Sequence, residues 1–164
     1  MRALKIAAII MVSLLMVMLL MLGYLFLTAE VTVEAVTSSG INAGEKPDDF
    51  ATLQASLDEN TFMGTLFHKP EEWKSAEDYV YLQFNVRLRN GCLVPIDMVE
   101  VQVVPQPTDI LQLADRQVHS LEAKQEADFS AMILAPKDTH PVREIIVSYY
   151  VWGVSFQLRT LSGQ

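Results

Sequence analysis

Cys92 is the one cysteine of the chain, and His68, His119 and His140 are the only imidazoles that could activate it as a nucleophile. A thiolate needs a base within hydrogen-bond reach or a positive neighbourhood such as a helix start, because a thiol is otherwise protonated near neutral pH. The flanking sequence "RNGCLVPID" supplies neither, so Cys92 reads as a small apolar core residue. The histidines stand 51 and 21 residues apart, so no two share one helix face as a zinc-ligand pair would. Carboxylates cluster in "PDD", "LDEN", "KPEEW" and "AED" without the alternating spacing of a calcium loop, and read as solvated loop charge. Ser155, in Gly153-Val154-Ser155-Phe156, lacks the second glycine of a nucleophile elbow and falls inside a hairpin pattern. Phosphate-cradling glycine loops are absent. No catalytic residue, metal ligand or cofactor-binding residue emerges, and the expectation is a chain that is not an enzyme and carries no cofactor.

One surface remains as a binding candidate. In "EIIVSYYVWGVSF", Ile145, Val147, Tyr149 and Val151 point one way, which places Ile146, Ser148, Tyr150 and Trp152 on the opposite face. Tyr150 and Trp152, with Ile146 beside them, would form an aromatic platform for a sugar or a partner peptide, since rigid rings give contact area at little entropic cost. The competing expectation, and the one preferred, is that this strand is central, its second face covered by an amphipathic helix that carries Phe50, Leu53 and Leu57.

The elements that would position these residues follow from periodicity. "PDDFATLQASLDEN" spaces Phe50, Leu53 and Leu57 as a helical stripe, with Asp48 and Asp49 at its start. "EVTVEAV", residues 30–36, alternates as a short strand, and the polar, Gly-containing "TSSGINAGEKP" after it reads as a loop. "TFMGTLFH" at 61–68 reads as a strand. Val80, Leu82, Phe84, Val86 and Leu88 then alternate with polar residues over 79–89, the strongest strand in the chain. Asn90-Gly91 has the chemistry of a two-residue hairpin turn. Pro95 and Asp97 break the phase beyond it, so the expectation is an irregular crossing after which 98–104 enters as the next strand, in the facing sheet. Further strands are expected at 110–113, 117–121 and 127–135, and a closing hairpin at 142–152 and 154–161 about Gly153. Seven to nine short strands at intervals of about ten residues predict a mainly β fold, a β-sandwich with one short helix.

The arrangement in "VRLRNGCLVPIDMVEVQV", a strand, an Asn-Gly pair and a second strand behind a proline, resembles the Ig-like β-sandwich modules of bacterial membrane-anchored cell-surface proteins. The likeness covers about a quarter of the domain and implies a fold; it lends no functional residues.

Residues 6–27, "IAAIIMVSLLMVMLLMLGYLFL", are free of charge. As a helix they span roughly 33 Å, against about 30 Å for a bilayer's hydrocarbon core. A single transmembrane helix is expected here. A cleaved signal peptide at Leu27-Thr28-Ala29 is the competing reading, weakened by the length of the apolar run and the large Leu27. With Arg2 and Lys5 inside by the positive-inside rule, residues 1–5 form a cytoplasmic tip and 28–164 an extracytoplasmic domain at the cell membrane. That domain holds 10 basic and 20 acidic residues, a charge of −10, which opposes nucleic-acid binding and attraction to anionic lipid headgroups. With a single cysteine there is no intrachain disulfide, so the core alone must hold the fold. The function expected is a single-pass, membrane-anchored binding or scaffolding module with an envelope protein as its partner. The alternative is an extracytoplasmic ligand- or carbohydrate-binding domain using the aromatic patch.

Overall fold

The computed structural model describes residues 2–27 and 30–163. The signal-peptide site read at Leu27-Thr28-Ala29 falls at Thr28 and Ala29, outside the described residues, as does Met1 of the stretch expected as a cytoplasmic tip. Helix α1 runs from Arg2 to Leu27, so the helix takes in residues 2–5 as well as the apolar run. Its Lys5–Leu25 stretch has a mean hydropathy of 2.8 and none of it is buried by the rest of the chain. By length and composition it is a membrane-associating segment of the kind shared by single-span anchors and signal sequences.

Among the described residues nine strands follow: β1 (Val31–Asn42), β2 (Gly64–Leu66), β3 (Tyr79–Asn90), β4 (Ile96–Val103), β5 (Leu111–Leu113), β6 (His119–Leu121), β7 (Glu126–Pro136), β8 (Glu144–Val151) and β9 (Val154–Leu161). They form two antiparallel sheets, ordered β1-β3-β7-β5-β2 and β6-β4-β8-β9. Phe84, Val86 and Ile133 of the first sheet and Val101, Ile145 and Val147 of the second share one core cluster, so the two sheets bury their apolar faces against each other. The alternation read along β3 is the cause: Leu82, Phe84, Val86 and Leu88 are buried in that cluster, while Arg87 and Arg89 face water and pair across to Asp128 and Glu126 of β7.

β1 is longer than its composition suggests. The stretch read as a loop from Thr37 stays extended to Asn42, because β3 offers a continuous ladder: Ser39 pairs with Gln83, Gly40 with Leu82 and Asn42 with Val80. An edge strand with one solvated face needs backbone partners more than apolar side chains. Gly40 fits beneath Val80 and Leu82, whose methyl groups would lie 3.3 and 3.4 Å from any added Cβ.

Helix α2 (Pro47–Asp58) forms where its stripe predicts. Pro47 occupies the first turn, where a missing N–H costs nothing, and Asp48 and Asp49 complement the positive end of the helix dipole. Its buried Phe50, Leu53 and Leu57 pack on Tyr79 and Tyr81 of β3, Ile110, Leu111 of β5 and Leu134 of β7. The helix therefore covers the outer face of the five-stranded sheet. The expectation that it covers the outer face of β8 is corrected: the aromatic residues at the start of β3 supply the apolar surface that this stripe needs.

No hairpin joins β3 to β4. β3 pairs with β1 and β7, β4 with β6 and β8, and the chain between them crosses from one sheet to the other. The irregular crossing after Asn90-Gly91 is the arrangement found, with Asn90 and Cys92 both buried at the corner.

Candidate functional site

The last hairpin places the residues singled out as a binding surface. Pairing of Gln102 with Ile146 and of Ile146 with Arg159 sets one row of the outer face, and Asp97, Tyr150 and Ser155 set another. Ile146 and Tyr150 are half-buried within this mostly polar face. Trp152 stands apart from them in the two-residue turn between Val151 and Val154, and is 73% exposed. No ring contact joins Tyr150 to Trp152; the aromatic pair of this hairpin is Tyr149 stacked on Phe156, 5.7 Å apart, on the inner side. The three residues thus share a hairpin without forming one platform.

The turn itself is strained. Trp152 has φ 50° and Gly153 φ 79°, the two positive angles of the tight hairpin turn that favours Asn-Gly. A bulky side chain in the left-handed region costs about 1–2 kcal/mol, and Trp152 buries too little surface to offset it. Trp152→Asn is expected to raise domain stability by about 1 kcal/mol, read as a higher denaturant midpoint; a lower midpoint would mean that the indole contributes packing.

Cys92 sits in the main core cluster, 2% exposed, and burial pushes its thiol up, with Lys124 and a backbone N–H acting in the opposite sense. No hydrogen bond links it to any of the three histidines among the described residues. Its own N–H donates to Asn90 Oδ1 at 2.9 Å. Ser155 lies within β9, opposite Tyr150.

A different constellation lies where the two sheets part. A cleft of about 500 Å³ opens between the edges of β4 and β7, lined among others by Met98, Glu100, Asp115, Val118, His119 and Met132. Short strands create it: β5 pairs with only Leu134 and Ile133 of β7, and β6 with only Ile96 and Val99 of β4. His119 Nε2 lies 2.6 Å from Asp115 Oδ2, and the imidazole stands edge-on to Phe129 at 5.6 Å. The Asp115 carboxyl is drawn below the ordinary carboxylate range, first by the Gln117 N–H and further by His119. Met98 has φ 50° at the irregularity between Ile96 and Val99, and is exposed at the cleft's mouth.

On the β4 side of this cleft a single side chain closes the gap. Gln112 of β5 donates from Nε2 to the Val101 carbonyl and accepts at Oε1 from the Val103 N–H, both at 2.9 Å. One amide thus supplies the donor and acceptor that a neighbouring strand would. Gln112 and Asp115 went unnoticed in the sequence, and His119 is weighed there only as a base for Cys92 or a zinc ligand, because only the fold brings the three to β4 and β7. The three histidines stay separate: His119 pairs with Asp115, and His140 accepts at Nδ1 from the Val142 N–H. A second cleft, about 360 Å³, lies beside α2, floored by Leu53, Phe62 and Tyr81. Burial, with the Asp49 charge adding to it, pushes the Tyr81 phenol up to about 12.

No family model matches this chain, and no curated protein does. Among solved structures it is similar to a "putative lipoprotein (ycdA)" from Bacillus subtilis, at 14% identity and a TM-score of 0.37, over 84% of this chain and 37% of that one. The chain thus spans little more than a third of that neighbour's length.

Proposed function

We propose that the chain is a single-pass, membrane-anchored module of the cell envelope whose extracytoplasmic domain binds or scaffolds another envelope protein and has no catalytic activity. The observation that carries this reading is the Lys5–Leu25 helix: its mean hydropathy is 2.8 and the rest of the chain does not bury it, so its apolar surface calls for lipid. Arg2 and Lys5 set its orientation, with residues 1–5 cytoplasmic, 6–27 spanning and 28–164 outside. An Ig-like character for the domain is supported by its pairing: β1-β3-β7-β5 and β4-β8-β9 follow the A-B-E-D and C-F-G orders of the constant-type immunoglobulin arrangement, with β2 and β6 as additions.

Carbonate-washed membranes should retain the full 18.4 kDa chain, and protease added to intact cells should digest the domain. A shortened chain in the soluble fraction, or a domain protected until lysis, would overturn the anchor or its orientation. In-membrane crosslinking from the domain surface should capture a distinct envelope protein.

The second reading, a carbohydrate- or ligand-binding domain, is favoured by the strained, exposed Trp152. The other tryptophan, Trp73, packs 5.7 Å from Phe50 and 5.8 Å from Tyr79, so a Trp73→Phe background isolates the hairpin signal. Emission that is quenched by acrylamide and shifts on adding cell-wall glycan supports this reading; unchanged emission removes it.

A further inference from the structure

The cleft between the sheet edges carries an inference that rests on the binding-module reading and gives it a place and a partner chemistry. β7 pairs with β3 along its whole length, from Glu126 opposite Arg89 to Pro136 opposite Tyr79. Its other edge meets β5 only at Leu134 and Ile133. The Leu134 carbonyl accepts from the Ile110 N–H on that side, at 2.9 Å. Since antiparallel ladders alternate every second residue, the N–H and C=O groups of Met132, Ser130 and Asp128 turn the same way. Among the described residues no strand stands opposite those three positions. The contrast with β4 is informative: its gap is filled by the Gln112 amide, whereas among the described residues no side-chain hydrogen bond fills this stretch of β7.

The surroundings define what would fit. Val118 is 82% and Met98 56% exposed at the mouth, and Met132 lines the wall. The acidic groups lining the cleft are Glu100 and Asp115, with His119 held on Asp115. A free ladder, apolar flanks and two carboxylates call for an extended segment with apolar and basic side chains, bound by strand addition. A second copy of this chain is a poor occupant, because each copy carries a net charge of −8 and would bring another acidic surface to an acidic cleft. We propose that the Asp128–Met132 edge of β7 is a docking site for an extended, basic and apolar peptide segment of another protein, which adds as a strand within this cleft.

The probe is a labelled acetyl-Val-Lys-Val-Lys-Val-amide, titrated into the full chain in detergent micelles and followed by hydrogen exchange. Saturating peptide should slow exchange at the Ser130 and Met132 amides about tenfold or more. The Glu100→Gln/Asp115→Asn variant should bind about tenfold more weakly, and exchanging the peptide lysines for glutamates should abolish binding. Ser130→Pro removes a donor that faces the gap, a position where an edge strand tolerates proline, and should also abolish binding. Should that variant fail to fold, N-methylation of alternate peptide amides removes the ladder from the peptide side and should have the same effect. No binding at millimolar peptide, equal binding of the N-methylated peptide, or binding without protection at 128–132 would overturn the proposal. So would protection that rises with protein concentration alone alongside a dimer in sedimentation, which would give the edge to a second copy. Capture of an envelope protein at Trp152 but not at Val118 in membrane crosslinking would leave the module reading standing and sink this site.

Discussion

Arg143→Met is expected to cost about 3–5 kcal/mol of folding stability, the effect of removing one partner from a buried ion pair. Arg143 and Asp109 side chains are 1% and 0% exposed and meet as a fork, with Nε to Oδ2 at 2.8 Å and Nη2 to Oδ1 at 2.7 Å. Arg143 Nη1 donates to the carbonyls of His140 and Val142, and the Arg143 N–H donates to Ser162 Oγ at 2.8 Å. Asp109 Oδ2 also accepts from the Gln106 N–H at 2.8 Å. The pair therefore ties the β4–β5 connection to the start of β8 and to the residue after β9. Methionine would fill much of the volume while leaving a carboxylate without its cation and the His140 and Val142 carbonyls without the guanidinium donor.

The denaturant midpoint, followed by Trp73 emission in a Trp152→Phe background, measures the loss. Against domain stabilities of about 5–15 kcal/mol this loss is large enough to shift the midpoint strongly. Arg143→Lys keeps the charge but not the planar fork, and should fall between wild type and Arg143→Met. The decisive comparison is the double variant Arg143→Met/Asp109→Leu. Removing both charges should restore most of the stability, because the single-variant penalty is that of a stranded charge. A double variant no more stable than Arg143→Met would show that the hydrogen bonds to His140 and Val142, and not the charge balance, hold this corner.

The pair also shows what sequence patterning misses. Asp109 in "PQPTD" and Arg143 in "VREII" look like the solvated charges found elsewhere in the chain, and only packing between segments 34 residues apart buries them. β3 was legible because its alternation is written in consecutive residues, and α2 because one stripe of Phe50, Leu53 and Leu57 repeats at the helical period. Which sheet face that stripe covers was not, since Tyr79 and Tyr81 sit at the start of a strand where an aromatic residue suits either side. The end of β1 was hidden for the opposite reason: Thr37 to Ile41 carry a loop's composition and a strand's partners. At the candidate sites, Trp152 reads as the end of a strand whose face a helix covers but stands exposed in the turn, and the cleft was not legible at all, because it arises from where β5 and β6 stop.

Asn90 gives the second large effect, and it reverses the meaning of a strong local signal. Asn-Gly ordinarily marks a two-residue hairpin, yet here the asparagine ends β3 and is 0% exposed. Its Nδ2 donates toward the carbonyls of Val94 at 2.9 Å, Leu121 at 3.1 Å and Glu122 at 3.2 Å, while Oδ1 accepts from the Cys92 N–H at 2.9 Å. One amide thus joins the end of the first sheet to β6 of the second and shapes the crossing between them. Gly91 serves a separate need: its N–H donates to the Glu30 carbonyl at 2.8 Å, and an added Cβ would lie 2.5 Å from that oxygen. Asn90→Ala should cost about 3 kcal/mol, since a buried donor and several acceptors lose a partner together. Asn90→Asp sharpens the test because it keeps the acceptor for Cys92 while turning a carboxylate toward three carbonyl oxygens. Burial and those oxygens would raise that carboxyl's folded pKa, so its contribution is present below the unfolded value near 4 and lost as pH rises through the folded one. The Asn90→Asp variant should therefore be less stable than Asn90→Ala at pH 7 and recover relative to wild type as pH falls toward 4. A gap to wild type that does not change with pH would place the new carboxylate in water, and would mean that the corner opens without its amide.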